Sequence, residues 1–467
     1  MTRSWQTGNK QVSNKKADMV KAGLLILSGN AATSLLLLAR NLLVARLIPV
    51  SDYGVAATFA IAMAVVEMAS SLGLQQQIVQ AKDGDDPKFQ AALQGFQVLR
   101  GVLAGIVLFA LAGPLATFMG VGEVAWAYQI LAVVPVLNAL QHFDIHRLNR
   151  DMVFGPVVLT GAVPALVSLI VVWPLATALG DYRVMLWAIV VQAVLMTVFS
   201  HITAQRAYLL VWDAKVMRES LAFGWPLLIN GILLFAVFQG DKVIVGRAMG
   251  METLAIFAMG FTLTLTPTLV MAKSAQNFFL PQLSRVEGAA FDSLAQVTVE
   301  AALLMSAVLI VGVALLGPPL VALLLGVKYA NLAPLLLWLA ISQAVRVMKA
   351  GPAIVALARG ETSNAMWANV ARVVVLPLIW WAAVQGADLV TLIWIGIAGE
   401  VLGYAVALGL LAVRCGFLVR TVVRGHLGIM VVLVAAVFDG AWVWVTLSIA
   451  FILTLWTLRH LRGHIRK

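Results

Sequence analysis

A chain of 467 residues that is 62% hydrophobic and only 11% charged, with a mean hydropathy of +0.96, cannot be a soluble globular domain. Its net charge of +11 would suit nucleic acid only if the basic residues shared one face. They are instead scattered over short segments between apolar stretches, so nucleic acid is excluded as a partner and anionic membrane lipids are implied. The single cysteine, Cys415 beside Arg414, excludes an internal disulfide and reads as a bystander.

Fourteen apolar stretches reach the roughly 20 residues needed to cross a hydrocarbon core of about 30 Å. A polar, basic tail over residues 1–20 precedes the first, centred near Leu35. With no small-residue cleavage site after it, that stretch reads as a retained helix. The next five centre near Ala64, Ile106, Val133, Val167 and Val194 and complete an N-terminal lobe over 21–205. The connection from Ala204 to Leu221 mixes Tyr208, Leu209, Leu210 and Trp212 with Arg206, Lys215 and Arg218, and 206–220 reads as a linker or a short interfacial helix. Spans near Leu233, Leu265, Ala307, Leu339, Val374 and Ile397 form a C-terminal lobe over 221–413, and two more, near Leu433 and Ile449, fall in 414–467 with a basic tail. The expected fold class is all-α: a polytopic membrane protein of about 14 transmembrane helices, two pseudo-symmetric six-helix lobes plus two C-terminal helices.

With the N-terminus inside, 23 of the 32 Lys and Arg residues fall on cytoplasmic segments, Arg346, Lys349 and Arg359 among them. Only Arg46, Arg183, Arg247 and Lys328 fall outside, and five lie within spans. This asymmetry orients the chain in a bacterial inner membrane with both termini cytoplasmic. Trp126, Trp173, Trp187, Trp380, Trp381, Trp442 and Trp444 lie toward the outer interface, where indole rings favour the headgroup layer.

The two lobes carry a faint repeat. Leu43–Pro49 aligns with Ile244–Gly250, matching Arg46 to Arg247 and setting Arg40 opposite Asp241. Six spans per lobe make the repeats parallel, an arrangement that puts a substrate path between two lobes. A charge in hydrocarbon is costly and marks a functional candidate. Glu67 and Arg100 fall at matching depth, as do Arg372 and Glu400, so each pair reads as an intramembrane ion pair. Lys242 and Lys273 lie near span ends, where lysine snorkels to the interface or lines a path. Arg40 and Asp241 are expected to close an outer gate, Arg40 later exchanging the carboxylate for a phosphate. Five interior bases against three acids leave the interior at +2, which suits an anionic cargo and argues against cationic drugs.

No Gly-x4-Gly-Lys-Ser/Thr loop is present, so energy must come from a gradient or from consumption of the cargo. No cofactor or catalytic residue is expected, and outer loops such as Gly120–Val124 are too short for an extracytoplasmic catalytic domain. The inner loop His142-Phe143-Asp144-Ile145-His146 has metal-ligand spacing, but flanking Arg147 and Arg150 and the lack of a further carboxylate make it an ordinary loop, with no metal.

Leu221-Ala222-Phe223-Gly224-Trp225-Pro226, Gly240-Asp241-Lys242-Val243-Ile244-Val245-Gly246 and Phe279-Leu280-Pro281-Gln282-Leu283-Ser284-Arg285 resemble the second-half signature of polysaccharide transporters. These are the Wzx-type oligosaccharide flippases of the multidrug/oligosaccharidyl-lipid/polysaccharide exporter superfamily. Leu47-Ile48-Pro49-Val50-Ser51-Asp52-Tyr53-Gly54 and Arg150-Asp151-Met152-Val153-Phe154 resemble first-half motifs. The sequence departs from the family at Leu254-Ala255-Ile256-Phe257, where Gly-x-Tyr is frequent. The resemblance implies a two-lobed alternating-access transporter, not an enzyme. Its cargo would be an undecaprenyl-diphosphate-linked oligosaccharide, moved to the outer leaflet for exopolysaccharide, capsule or O-antigen (lipopolysaccharide) assembly. A polymerase and a chain-length regulator of the same pathway are further partners in that setting. The alternatives are a flippase of a lipid-linked peptidoglycan precursor, a multidrug antiporter, and a membrane-bound polysaccharide polymerase or ligase.

Cysteine accessibility scanning in a Cys415→Ala background should place positions 181, 388 and 439 outside and positions 147, 218 and 424 inside. Labelling of position 388 from the cytoplasm would overturn the fourteen-span topology.

Overall fold

The computed structural model describes residues 28–70 and 72–437, and all regular secondary structure among them is helical. By internal contacts the chain divides into two compact units, Met1–Phe235 and Ala236–Lys467. Ten helices among the described residues are long and apolar enough to cross a membrane, or eleven if one bent pair is a single span. The expected stretch near Leu433 is described only as far as residue 437, and the one near Ile449 lies outside the described residues.

In the first unit a helix over 28–47 (α1) leads to α2 (Val50–Ser70), the short α3 (Leu74–Gln80) and α4 (Pro87–Phe118). Asp86 caps α4, its carboxylate accepting from the Lys88 N–H at 3.1 Å, and Pro87 suits the first position, where an N–H would have no acceptor within the helix. The span expected near Val133 is broken into α5 (Ala125–Leu131) and α6 (Val133–Ala139), and the chain then bends by 49° into α7 (Asp144–Arg150). Pro135 lacks the N–H that would bond across the α5–α6 junction, which accounts for the interruption. Two uninterrupted helices follow, α8 (Gly155–Leu179) and α9 (Arg183–Thr203), α8 ending at Gly180 with φ +71°.

The connection after α9 is not an interfacial helix. Residues 204–213 are non-helical, the Val211 N–H donates to the Ala91 carbonyl of α4 at 3.2 Å, and α10 (Ala214–Met249) starts at once. Asp213 fixes that start by accepting from the Lys215 N–H at 2.8 Å and the Val216 N–H at 3.2 Å. The sequence Leu221–Pro226 therefore lies about two turns inside a continuous helix. The division between units falls inside α10.

The second unit continues α10 with α11 (Met251–Leu283), α12 (Gly288–Leu325), α13 (Ala333–Ala358), α14 (Ser363–Val373), α15 (Leu376–Val384), α16 (Leu389–Cys415) and α17 (Val423–Val437). The span expected near Val374 is interrupted between α14 and α15, where Pro377 lacks the N–H that would bond back across the junction. Asp388 caps α16, and the Thr391 hydroxyl and N–H hold its carboxyl below the usual carboxylate range. Phe279, Leu283, Phe291, Val299, Leu303 and Tyr404 belong to the buried core of this unit, and the Ser306 hydroxyl donates across to the Ala344 carbonyl at 2.9 Å, tying α12 to α13. Large apolar side chains such as Ile170, Trp173, Leu316 and Leu323 are exposed, as lipid-facing surfaces require.

Close backbone approach in the first unit depends on glycine. A Cβ on Gly231 of α10 would sit 2.1 Å from the Met68 carbonyl oxygen of α2, and one on Gly224 would sit 2.3 Å from that of Leu72. Gly231→Val is therefore expected to cost about 1–3 kcal/mol, read as a lower melting temperature of the purified protein. Gly113 of α4 has open space around it, so Gly113→Val should change stability by no more than about 0.5 kcal/mol.

Candidate functional site

The second unit holds a buried ionic network built from four helices. Glu400 of α16 is fully buried, and its Oε1 accepts from Arg346 Nε of α13 at 2.7 Å and from Arg372 Nε of α14 at 2.9 Å. Its Oε2 receives Lys349 Nζ, one turn along α13, at 3.4 Å. Arg372, also fully buried, bonds through Nη2 to Asp241 Oδ2 of α10, and Lys349 donates to Asn369 Oδ1 at 3.1 Å.

Glycines bring α14 and its arginine close to α16. Gly396, Gly399 and Gly403 line one face of α16, and Arg372 lies along it: a Cβ on Gly399 would come within 3.2 Å of Arg372 Cδ, and one on Gly403 within 2.8 Å of the Ala368 carbonyl oxygen of α14. A long guanidinium side chain can thus cross a helix surface and present two edges to two carboxylates.

Sequence reasoning put Arg346 and Lys349 in a cytoplasmic segment, and the structure corrects this. Both lie near the middle of α13, which runs unbroken to Ala358, and both are spoken for by the buried Glu400. A hydropathy reading ends a span at the first charges it meets. Here an apolar run, Val347–Ala358 interrupted only by Lys349, follows before Arg359-Gly360, and that was the available signal.

Four cations, Lys242, Arg346, Lys349 and Arg372, share this region with two carboxylates, Asp241 and Glu400, leaving a surplus of two positive charges. Arg346 Nη1, Arg372 Nη1 and Asp241 Oδ1 are buried and find no hydrogen-bond partner among the described residues. Lys242 and Arg346 converge on one ring: Lys242 Nζ lies 4.4 Å and Arg346 Cζ 5.1 Å from the centroid of Phe261. Arg346 also faces Phe238 at 5.2 Å and donates through Nη2 to the Val237 carbonyl at 3.1 Å. Lys242 donates to Gln239 at 3.3 Å. Lys273 is exposed on α11 and stands outside the network.

In the first unit Arg40 of α1 is buried, and its Nη1 donates to Gln192 Oε1 of α9. Arg40 and Asp241, which the repeat set in matching places, thus each have a partner inside their own unit, Gln192 for one and Arg372 for the other. Glu67 and Arg100 face one open cavity of about 280 Å³, with Arg100 Nη2 donating to Gln97 Oε1 at 3.3 Å. Asp144, from the loop with metal-ligand spacing, is fully buried and serves as an acceptor for Arg147 Nε at 2.6 Å and for the Gln205 and Arg206 N–H groups at 2.8 and 3.3 Å. It anchors the non-helical linker to α7.

Comparison with known proteins is consistent across sequence and fold. The profile of a family described as polysaccharide biosynthesis proteins matches residues 43–334. The teichuronic acid biosynthesis protein TuaB of Bacillus subtilis (strain 168) is 21% identical over 354 residues, covering 74% of this chain and 72% of TuaB. Among solved structures, the Lipid II flippase MurJ in an inward closed conformation superposes with a TM-score of 0.73 at 13% identity, over 95% of this chain and 100% of MurJ. A multidrug resistance MATE family transporter of the MOP superfamily, in an inward-facing conformation, gives a TM-score of 0.65 at 13% identity, over 88% of this chain and 98% of its own. These likenesses establish the fold of a multi-pass membrane protein.

Removing the carboxylate at the hub should be costly. Glu400→Gln leaves Arg346, Lys349 and Arg372 without their shared counter-charge, at about 3–5 kcal/mol, and is expected to deplete monodisperse protein in size-exclusion chromatography. Adding Arg372→Gln should restore only part of the yield, because Arg346 and Lys349 would still face a neutral amide. Full recovery by the double variant would mean that Arg372 and Glu400 act as an isolated pair.

Proposed function

The chain belongs to the polysaccharide biosynthesis protein family, and on that premise we propose that it is a flippase for an undecaprenyl-diphosphate-linked oligosaccharide repeat unit. It carries that unit from the inner to the outer leaflet of the bacterial cell membrane by alternating access, with both termini cytoplasmic. The observation that carries this reading is the cationic surplus of the buried network in the second unit. Two like charges gathered round Phe261, with a buried guanidinium nitrogen of Arg346 lacking a bond, are electrostatically unfavourable until an anion joins them. A diphosphate supplies two or more negative charges in a compact group and accepts from guanidinium in the two-pronged geometry that carboxylates use.

Lys242 and Arg346 are the proposed diphosphate ligands. Arg346 can turn to a phosphate because Glu400 retains Arg372 and Lys349. Arg372, held between Asp241 and Glu400, keeps α10, α14 and α16 together while the ligand is exchanged. Arg40, held by Gln192, takes a structural place in the first unit. The same surplus argues against a cationic drug as cargo. A flippase of a lipid-linked peptidoglycan precursor is the second reading, favoured by the fold shared with MurJ. That cargo is also a lipid-linked diphosphate, so the network alone does not separate the two.

Cells lacking the protein should accumulate lipid-linked repeat units on the inner leaflet and export little polymer, and they should grow normally when synthesis of the repeat unit is blocked upstream. Lethality despite that block would favour the peptidoglycan precursor. Lys242→Gln with Arg346→Gln should lower export at least about tenfold, as expected for the loss of charge-assisted hydrogen bonds, with folded protein still in the membrane. Undiminished export by that variant would remove the diphosphate role from these residues.

A further inference from the structure

The cavity in the first unit differs in chemistry from the network in the second. Its walls come from α2, α3, α4, α6 and α9, at a level where α5–α6 is a broken helix. Interrupted helices at membrane depth are tolerated where they line a cavity, and transporters build substrate sites from them. Five side-chain amides, Gln75, Gln76, Gln97, Asn138 and Gln141, share this wall with Glu67 and Arg100. The two charges cancel, so the wall is neutral as a whole, in contrast to the surplus of two in the other unit.

Amides in apolar spans need a reason, because burying one without a partner is costly. Along α4 the polar residues Gln90, Gln94, Gln97 and Arg100 recur at helical spacing on one face. The first two have architectural partners: Gln90 accepts from Arg206 at 3.0 Å, while Gln94 bonds the Gln141 carbonyl at 2.9 Å and the Phe143 N–H at 2.8 Å. Gln97 accepts from Arg100 Nη2 at 3.3 Å, and both side chains line the cavity. Gln97 is 6% exposed, whereas Glu67, Gln75 and Gln76 are exposed. Asn138 and Gln141 bond each other at 3.1 Å, which sets the orientation of both amides.

We propose that this cavity is a saccharide-binding subsite that takes a neutral pyranose residue. Each hydroxyl of a sugar ring both donates and accepts, and so does each primary amide, while Glu67 adds acceptors and Arg100 adds donors. A volume of about 280 Å³ lies at the small end of ligand pockets, which run from about 300 Å³, and it admits one sugar ring but not a whole repeat unit. Neutrality of the wall selects an uncharged ring over an uronate. The assignment rests on the flippase reading, since a lipid-linked saccharide is what would bring a sugar to this place.

The test uses the full-length protein in lipid nanodiscs, free of sugar-headed detergent. The probes are methyl β-glucoside, N-acetylglucosamine, glucuronic acid and glycerol, followed by saturation-transfer NMR, and inorganic pyrophosphate, followed by phosphorus NMR. At least one of the two neutral sugars should receive saturation that glycerol and glucuronic acid do not. Gln97→Leu, and separately Asn138→Ala, should weaken that binding by about fivefold, the scale of one neutral hydrogen bond, with pyrophosphate binding unchanged as proof of a folded protein. Gln97→Asn should retain part of it. Neutral sugars that fail to bind, bind no better than glycerol or glucuronic acid, or bind both variants as well as the natural chain would overturn the subsite. If that happens while pyrophosphate still binds, the flippase reading stands; loss of pyrophosphate binding in the natural chain as well would count against both.

Discussion

A single carboxylate with no solvent exposure, Glu400, organises the second unit. Hydrocarbon surrounds the helices, so its charge must be met by protein, and three cations from two other helices meet it. Arg372 extends the same interaction to Asp241 on α10, so four helices distant in sequence share one electrostatic centre. Apolar packing gives little preference among helix partners when lipid tails are as apolar as leucine. The ion network supplies that preference, Gly399 of α16 leaves room for the Arg372 side chain, and Gly403 lets the α14 backbone approach at Ala368.

The first unit solves the same problem by other means. Arg40 is answered by the amide of Gln192, Gln94 by backbone groups of the loop after α6, and Asp144 by Arg147 and two backbone N–H groups of the linker. Asp144 and Arg147 cancel, as do Glu67 and Arg100 on the cavity wall, so the amide-lined cavity of this unit has a wall with no net charge. On the proposed readings the two units would recognise different groups, an anion in the second and a neutral polyol in the first.

Much of the helical plan was legible because hydropathy and helix length report on the same 30 Å or so of hydrocarbon. α4, α8, α9, α11, α12 and α16 lie where apolar runs placed them. What hydropathy could not show was interruption: Ser363–Val384 averages as one apolar span, as does the stretch over α5–α6, and only Pro377 and Pro135 mark their breaks. The pairing of Arg372 with Glu400 followed from matching depth on sequential spans. Arg346 and Lys349 were missed because a charge was taken as the end of a span, and Asp241 was matched to Arg40 by a repeat that aligns backbone and not partners. The amides of the cavity escaped notice because uncharged glutamines hardly lower a hydropathy average, yet the helical recurrence from Gln90 to Arg100 was there to be read.

Surplus charge is also what lets such a network move. A buried pair of one cation and one carboxylate is locked, since parting them leaves a bare charge at a cost of about 3–5 kcal/mol. Glu400 has three cations and Arg372 two carboxylates, so one partner can leave either without stranding it. Exchange of a carboxylate for a phosphate on Arg346 keeps the number of charge-assisted bonds nearly constant. The energy separating two arrangements then falls from the cost of a broken pair toward the few kcal/mol that a ligand's differential affinity can supply. An electroneutral network would hold the helices as firmly, but it would have nothing to offer an anionic cargo and no partner to spare while it did so.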